Sequence, residues 1–441
     1  MIDPRILRTA PERLRESQLR RGLPEGTVIE LEKLDAEHRE ALHKYEELRS
    51  QQKRLSKDIG KLKGRIKKSG SKERPVLEQE SESLLASAGE LAEAVKVAEQ
   101  RADRLGAEVE DAWLTIDNLV DPQAPVGDED AFRVITEVGT PRDFGAEGFT
   151  PLDHLQLGEA IGAIDVERAA KVSGSRFYYL VGDGALLELA LLNLAMNLAH
   201  KNGLRPVLPP ALVKPAAMAG TGFLGQAAEN VYHLADDDMY LVGTAEVPLA
   251  SMHADEILDR SALPLRYVGY SPCFRREAGS HGKDTRGIIR VHQFDKVEMF
   301  TFCEPEEAER EHSKLLGWER EFMDRLELPY RVIDVATGDL GASAARKFDI
   351  EAWIPTQGRY REVTSTSNCT TFQSRRLAIR YRDEEGRVAP VATLNGTLVA
   401  MPRVIVALLE NHQTADGRVA IPKALRPFLS DRAYLTPLQQ Q

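Results

Sequence analysis

Two runs of residues spaced in sevens constrain this chain more than any other feature. Leu31, His38, Tyr45, Gln52, Ile59 and Ile66 recur every seven residues, and Leu34, Ala41, Leu48, Leu55 and Leu62 follow three places later. That is the a/d spacing of a coiled-coil seam. A second run sets Leu77, Leu84, Leu91, Ala98, Leu105 and Ala112 seven apart, with Ala88, Val95, Ala102 and Val109 four places on. Between the runs, Ser69-Gly70-Ser71 and Pro75 interrupt helix propagation. The spacing therefore predicts an antiparallel hairpin over about 27–112 with its tip at about 67–75. At about 1.5 Å per residue, some forty residues per helix make an arm roughly 60 Å long. A hairpin buries only its seam, so such an arm is expected to stand out from a body.

Charge along the hairpin is uneven. The whole chain is acidic, with 58 Lys and Arg against 69 Asp and Glu and a formal charge of −11, which taken alone argues against a nucleic-acid partner. Residues 49–74 reverse that inference. Eleven of them are basic, including Arg49, Lys53, Arg54, Lys57 and Lys61, and two are acidic, a local +9 that leaves −20 for the rest. Heptads and charge also suit an oligomerisation coiled coil, yet a dimerising helix gains nothing from like charges crowded at one end. A polyphosphate surface would neutralise them. No aromatic residues interleave with the basic ones near the tip, so stacking on single-stranded bases is not indicated. Folded, double-helical RNA, read largely by shape and phosphate, fits better, with Arg49, Lys53, Arg54, Lys57 and Lys61 as candidate contacts.

The hairpin is expected to close a first domain over 1–114, followed by a linker over 115–131 rich in Asp, Pro and Gly and a mixed domain over 132–441. In the mixed domain an apolar helix over 185–200 alternates with short strands, such as 231–234 and 239–242. Strands over 266–277 and 290–302 follow with only a loop between them, which favours an antiparallel pair and an α+β domain. In extended backbone Arg275 and Glu277 share one face of the first strand, with Phe274 and Arg276 on the other. In the second, Val297 and Met299 can bury one face, leaving Glu298 with Lys296 and Phe300 opposite. Both strands thus offer charge to a common pocket. Neither a G-x-x-x-x-G-K-[ST] nor a G-x-G-x-x-G loop is present, so a nucleotide site has to be built from side chains on strands. Cys273, Cys303 and Cys369 fit no C-x-x-C pattern, so no structural zinc is expected and they read as buried thiols of a reducing, cytoplasmic compartment. No run of about eighteen apolar residues occurs, and no membrane segment is expected.

Seven motifs in order give the chain a resemblance to bacterial seryl-tRNA synthetases, a family of class II aminoacyl-tRNA synthetases, along essentially its whole length. They are Thr244-Ala-Glu246-Val-Pro248, Pro272-Cys-Phe-Arg275-Arg-Glu277-Ala-Gly279, Asp284-Thr-Arg-Gly287, Arg290-Val-His-Gln-Phe-Asp-Lys-Val-Glu298, Arg361-Glu362-Val-Thr-Ser365, Thr393-Leu-Asn-Gly396 and Arg403. The resemblance implies an antiparallel sheet flanked by helices, a homodimer, and a helical arm that grips the tRNA. It implies activation of L-serine with ATP to seryl-adenylate and transfer to the 3′ end of tRNA-Ser, and leaves tRNA-Sec open as a further substrate. By the same resemblance, Arg275 binds the α-phosphate of ATP and Arg403 the γ-phosphate, with Arg276, Glu277, Val291, Glu362, Val363, Thr364 and Ser365 completing the ATP site. Glu362 and Ser365 are implied ligands of the accompanying Mg²⁺; three residues apart, they share a face only if the strand bends. Thr244, Ala245, Glu246, Glu298 and Thr397 are implied to hold serine, and Pro210 to lie at the dimer interface.

The chemistry suits these residue types. Adenylation brings a carboxylate to a polyphosphate, so charge repulsion and orientation dominate the barrier, and arginines with Mg²⁺ address both. No general base is needed, because the serine carboxylate is already ionised. Two departures stand out against the family pattern. The usual Asn-Gly-Ser-Gly-Leu-Ala-x-Gly-Arg run is here Asn395-Gly-Thr397-Leu398-Val-Ala-Met-Pro402-Arg403, and Thr371 stands where an acidic residue is common. Pro402 suits the first turn of a helix just ahead of Arg403. The altered run keeps open a paralogue that loads a carrier protein, against which the arm counts, or serves as an antibiotic-insensitive duplicate, and a non-catalytic RNA-binding homologue, against which the retained Arg275, Glu298 and Glu362 count.

Overall fold

A computed structural model describes residues 1–225, 228–278 and 286–438; Gly279, Asp284 and Thr285 of the motifs above lie outside the described residues. The chain forms two compact units. One comprises Arg5–Arg15 and Pro24–Ile116, the other Met1–Pro4, Glu16–Leu23 and the chain from Asp117 on.

The first unit is built on two long helices, α1 (Gly26–Lys68) and α2 (Arg74–Leu114). They run antiparallel: the Tyr45 hydroxyl lies 2.7 Å from Glu99, Ala41 clusters with Ala102 and Leu105, and His38 approaches Gly106. Most of the residues that bury lie at heptad positions, with Val28 and Asp35 buried off the repeat. Leu31, Ala41, Ile59 and Leu62 on α1 meet Leu77, Val95, Ala102, Leu105 and Val109 on α2, while most positions between them face water. α1 stops where the Ser69 hydroxyl donates to the Ile66 carbonyl at 2.9 Å. α2 starts with Pro75 in its first turn, where a missing N–H costs nothing.

The second unit is organised by an eight-stranded sheet. Its strands in chain order are β1 (Arg133–Val138), β2 (Arg205–Val207), β3 (Leu265–Phe274), β4 (Gln293–Cys303), β5 (Tyr330–Asp334), β6 (Arg346–Ile354), β7 (Arg359–Asn368) and β8 (Ala392–Ala400). In space they run β1-β5-β6-β7-β8-β4-β3-β2. Neighbours are antiparallel except for the short edge strand β2, which pairs parallel to β3. The four helices that matter for the site are α3 (Asp183–Lys201), α4 (Glu246–Ser251), α5 (Ala308–Arg325) and α6 (Met401–Asn411). α5 packs on β7 and β8, and α6 on β4 and β6. Because helices cover the sheet, β4 is apolar on both faces: Val297, Met299, Phe300 and Phe302 have no exposed surface. The expected separation of a buried and an open face therefore fails for Phe300, which packs with Ala245, Leu249 and Phe302.

The segment 115–131, read as a linker from its Pro and Gly content, is strapped onto this unit. The Asn118 side-chain amide donates to the carbonyls of Ser343 and Cys369 at 2.8 and 2.9 Å, and the Val120 N–H donates to the Ser17 hydroxyl at 2.9 Å. Arg21 is buried beside it and donates to the carbonyls of Asn118 and Gly341 at 3.0 and 3.3 Å, and also to that of Ala344. Pro and Gly mark irregular backbone here, but its polar groups are satisfied by the sheet unit.

Phe322 on α5 is one of the large side chains with no exposed surface. Phe322→Ala is expected to cost about 3–5 kcal/mol, since the cavity it leaves is walled by fixed helices and strands. The check is the urea midpoint of the sheet unit's unfolding, which should fall in the variant.

Candidate active site

Two irregularities in strand pairing aim the site. Between β6 and β7, Ile350 pairs with Thr364 but Glu351 with Glu362, so Val363 is an extra residue. Such a bulge shifts the alternation of side chains by one. Glu362 and Ser365 oppose Glu351 and Asp349, which are two apart on β6, so the bulge puts both on one face and provides the bend their spacing demands. Between β4 and β8, Val297 pairs with Val399 but Glu298 with Thr397, leaving Leu398 as the extra residue and setting Thr397 directly across from Glu298.

Arg275, Glu277, Ile289, Arg290, Val291, Phe294, Lys296, Glu362, Val363, Thr364, Thr397, Ala400, Pro402 and Arg403 line one pocket. β3 ends at Phe274, one residue before the arginine, and Glu277 adopts a left-handed φ of +51°. The regular alternation expected through Glu277 is thus replaced by a loop, and Arg275 and Glu277 reach the pocket by different routes. Arg275 is held by backbone: its N–H donates to His292 O at 2.9 Å, His292 Nδ1 lies 2.9 Å from the Arg275 carbonyl, and its guanidinium lies 5.3 Å from the Phe294 ring centre. Glu277 pairs with Arg290 at 2.7 Å. Arg276 is exposed and lies outside the lining; its N–H donates to Asn230 O at 2.9 Å.

Opposite, Pro402 stands in the first turn of α6, and Arg403 beside it pairs with the Glu362 carboxylate at 3.0 Å and donates to the Glu362 carbonyl at 3.1 Å. Arg403, and then Lys347, Arg275 and Lys296, hold the half-exposed Glu362 carboxyl below its usual range. Ser365 is not part of the lining. An ionised carboxylate and a hydroxyl on one face are hard oxygen donors of the kind Mg²⁺ accepts beside substrate phosphates, so this pair fits that ion. Among the described residues, no three His, Cys, Asp or Glu side chains gather as a metal cluster, and the three cysteines are unpaired and buried.

Behind two of the wall residues stands Glu298, a carboxylate with no exposed surface. Its Oε2 accepts from the Thr397 hydroxyl at 3.0 Å and pairs with Lys296 Nζ at 2.7 Å, and its Oε1 accepts from Asn395 at 3.3 Å. Glu246, at the start of α4, accepts from the Gln373 amide at 2.7 Å, and its own N–H donates to the Thr244 hydroxyl at 3.2 Å. Ala245 is a core residue. Burial first, and the charge of Glu298 second, push the Glu246 carboxyl from 4.5 up to about 7. Lys296, Asn395 and Gln373 had no assigned role in the sequence. Lys296 shares a strand face with Glu298, a signal that was present, whereas Gln373 and Asn395 are brought in from distant segments.

On α1, Arg49, Lys53, Arg54, Lys57 and Lys61 are all exposed. Lys61 makes a surface pair with Asp58 at 3.1 Å.

An antiparallel sheet presenting Arg275, Glu362 and Arg403 around one pocket defines a class II aminoacyl-tRNA synthetase core. Residues 231–412 match the tRNA synthetase class II core domain (G, H, P, S and T), and residues 1–120 match the seryl-tRNA synthetase N-terminal domain. The serine–tRNA ligase of Acidothermus cellulolyticus is 62% identical over 429 residues, covering 97% of this chain and 98% of that protein. Among solved structures, the seryl-tRNA synthetase of Pyrococcus horikoshii complexed with ATP superposes with a TM-score of 0.91 at 40% identity, over 99% of this chain and 100% of that one. The cytoplasmic serine–tRNA ligase of Naegleria fowleri in complex with AMP gives 0.85 at 32% identity, over 99% of each chain. The chain belongs to the seryl-tRNA synthetase family.

The raised Glu246 carboxyl leaves a signature in stability. Its folded pKa lies above the unfolded one, so the fold favours the protonated form, and stability is lost as pH climbs from 4.5 to about 7. Glu246→Gln, neutral and of the same shape, should flatten that part of the curve. Thermal denaturation across the range checks it; parallel profiles for the two proteins would place the titration elsewhere.

Proposed function

We propose that this pocket activates serine with ATP and that the arm presents the tRNA to it. The chain is an ATP-dependent serine–tRNA ligase. The observation that carries the site assignment is the joining of two charge environments in one place: cations at Arg275 and Arg403 for a polyphosphate, and buried carboxylates at Glu246 and Glu298 for an ammonium. In the first step a serine carboxylate oxygen bonds to the α-phosphorus, the bond to the bridging oxygen breaks, and pyrophosphate leaves with the electron pair. Arg275 stabilises charge on the five-coordinate phosphorus and Arg403 holds the far phosphate, so that attack is in line. Glu277 and Val291 frame the base. Mg²⁺, where Glu362 and Ser365 hold it, supplies further neutralisation of the phosphates. In the second step a 3′-terminal ribose hydroxyl of the tRNA attacks the seryl carbonyl and AMP departs. A pocket that pairs the substrate hydroxyl through Thr397 and Glu298 also rejects alanine, at roughly 1 to 3 kcal/mol for each polar group left unpaired.

Residues 1–114 serve as the tRNA-binding domain and 132–441 as the catalytic domain in this reading. A homodimer is supported by apolar side chains left in water on and after α3: Leu186 and Leu189 are about half exposed, Leu208 is 79% exposed, and Pro210 beside it is exposed too. Unpaired thiols favour a reducing, cytoplasmic setting, and among the described residues no helix is long and apolar enough to cross a membrane.

The direct test is ATP–pyrophosphate exchange by the purified chain, expected with serine and far weaker with alanine or threonine; absence of exchange with serine refutes the assignment. For the arm, reversing Lys53, Arg54, Lys57 and Lys61 to Glu should weaken tRNA binding and flatten its salt dependence by about one unit of slope for each phosphate that is no longer neutralised. Exchange should stay intact. Equal loss of both activities would mean that the arm serves the fold instead.

A further inference from the structure

Lys296 is a pocket cation that adenylation by Arg275 and Arg403 leaves without a task, and it sits where substrate groups are required. Its Nζ lies 2.7 Å from Glu298 Oε2 and 3.4 Å from the Thr397 hydroxyl, which itself donates to the same Oε2 at 3.0 Å. An ammonium and a hydroxyl converging on one carboxylate oxygen reproduce the polar end of serine. The side chain is 7% exposed, yet it forms part of the wall shared with Arg275, Glu362 and Arg403. A lysine ammonium is a compact charge on a flexible four-carbon stem, suited to changing partners.

We propose that Lys296 holds the ammonium position against Glu298 before serine binds, and that serine binding displaces it from Glu298 toward the carboxylate and α-phosphate, where it becomes a third activating cation. This inference rests on the serine-activation reading above. It follows from charge balance. Glu298 is too buried to stand alone as an anion, and Lys296 neutralises it. When the substrate ammonium takes over that task, Lys296 is released on the side of the pocket where two anions are about to meet. Its charge is therefore delivered only with an amino acid that brings its own ammonium, and it adds to Arg275 at the developing phosphorane. The bond changes remain those of adenylation, and Lys296 takes part in none of them.

Lys296→Met separates this role from that of a fixed structural partner. Displacement predicts that serine KM in pyrophosphate exchange stays level or falls, because a competitor for Glu298 is gone, while kcat drops by about 100-fold or more with the lost cation. A rise in serine KM with kcat unchanged would make Lys296 a scaffold for Glu298 and overturn the proposal, as would kinetics equal to the wild type. A crystal structure of the wild type with a non-hydrolysable seryl-adenylate analogue gives a reading that needs no variant. Lys296 Nζ is expected beyond hydrogen-bond reach of Glu298, and a retained contact would refute displacement. If the wild type shows no serine-dependent exchange, the reading of the pocket itself fails; exchange with Lys296 unmoved removes only this inference.

Discussion

A carboxylate with no exposed surface in the middle of the sheet sets the terms for the rest of the molecule. Burying Glu298 as an ion is costly unless charge and hydrogen bonds compensate it, and its partners come from two strands: Lys296 from β4, Asn395 and Thr397 from β8. Those partners arrive only in one register. With Leu398 as the extra residue, Thr397 falls opposite Glu298; without it, the next residue in line would bring an apolar side chain to the carboxylate. α6 then begins directly after β8, which fixes where Arg403 enters the pocket. The Glu298 end and the Arg403 end of the site are thus tied together by one strand pairing.

The arm was legible because a coiled-coil seam is a local repeat, and its boundaries follow from Ser69, Gly70 and Pro75 without reference to anything distant. The sheet was legible as strands but not as faces. Alternation places Lys296 and Glu298 together, which holds, yet it also assigns Phe300 to an open face, which fails because helices cover both sides of β4. The bulges at Val363 and Leu398 belong to pairing with β6 and β4 and have no signature in their own segments. The loop after Phe274 is likewise a property of tertiary context, since His292 takes up the Arg275 N–H and carbonyl from a separate segment. Contacts such as Gln373 on Glu246 join residues more than a hundred positions apart, beyond the reach of any periodicity.

The unusual run at 395–403 is also explained by position. Thr397 keeps the hydroxyl, and its branched side chain has few rotamers on a strand, so the donor is pre-aimed at Glu298. Leu398 is a fully buried core residue, packed where glycine would leave space, and Pro402, at the second lost glycine, occupies a helix turn that has no use for its amide. Thr371 accepts from Arg375 at 3.1 Å one turn along its short helix, a local role that needs no negative charge.

Both ends of the pocket keep their cations against carboxylates: Arg403 with Glu362, Lys296 with Glu298. Charges held this way are already neutralised by their partners, and they exert little pull on anions until a competing ion arrives. A cation at Glu362 would loosen its hold on Arg403, and a substrate ammonium at Glu298 would do the same for Lys296. The same two exchanges would turn paired charges into an unpaired, positively charged pocket only when it is loaded. Electrostatic stabilisation would then be greatest in the assembled complex, where the phosphorus is attacked, and weakest in the empty protein, where free phosphate and unrelated anions compete.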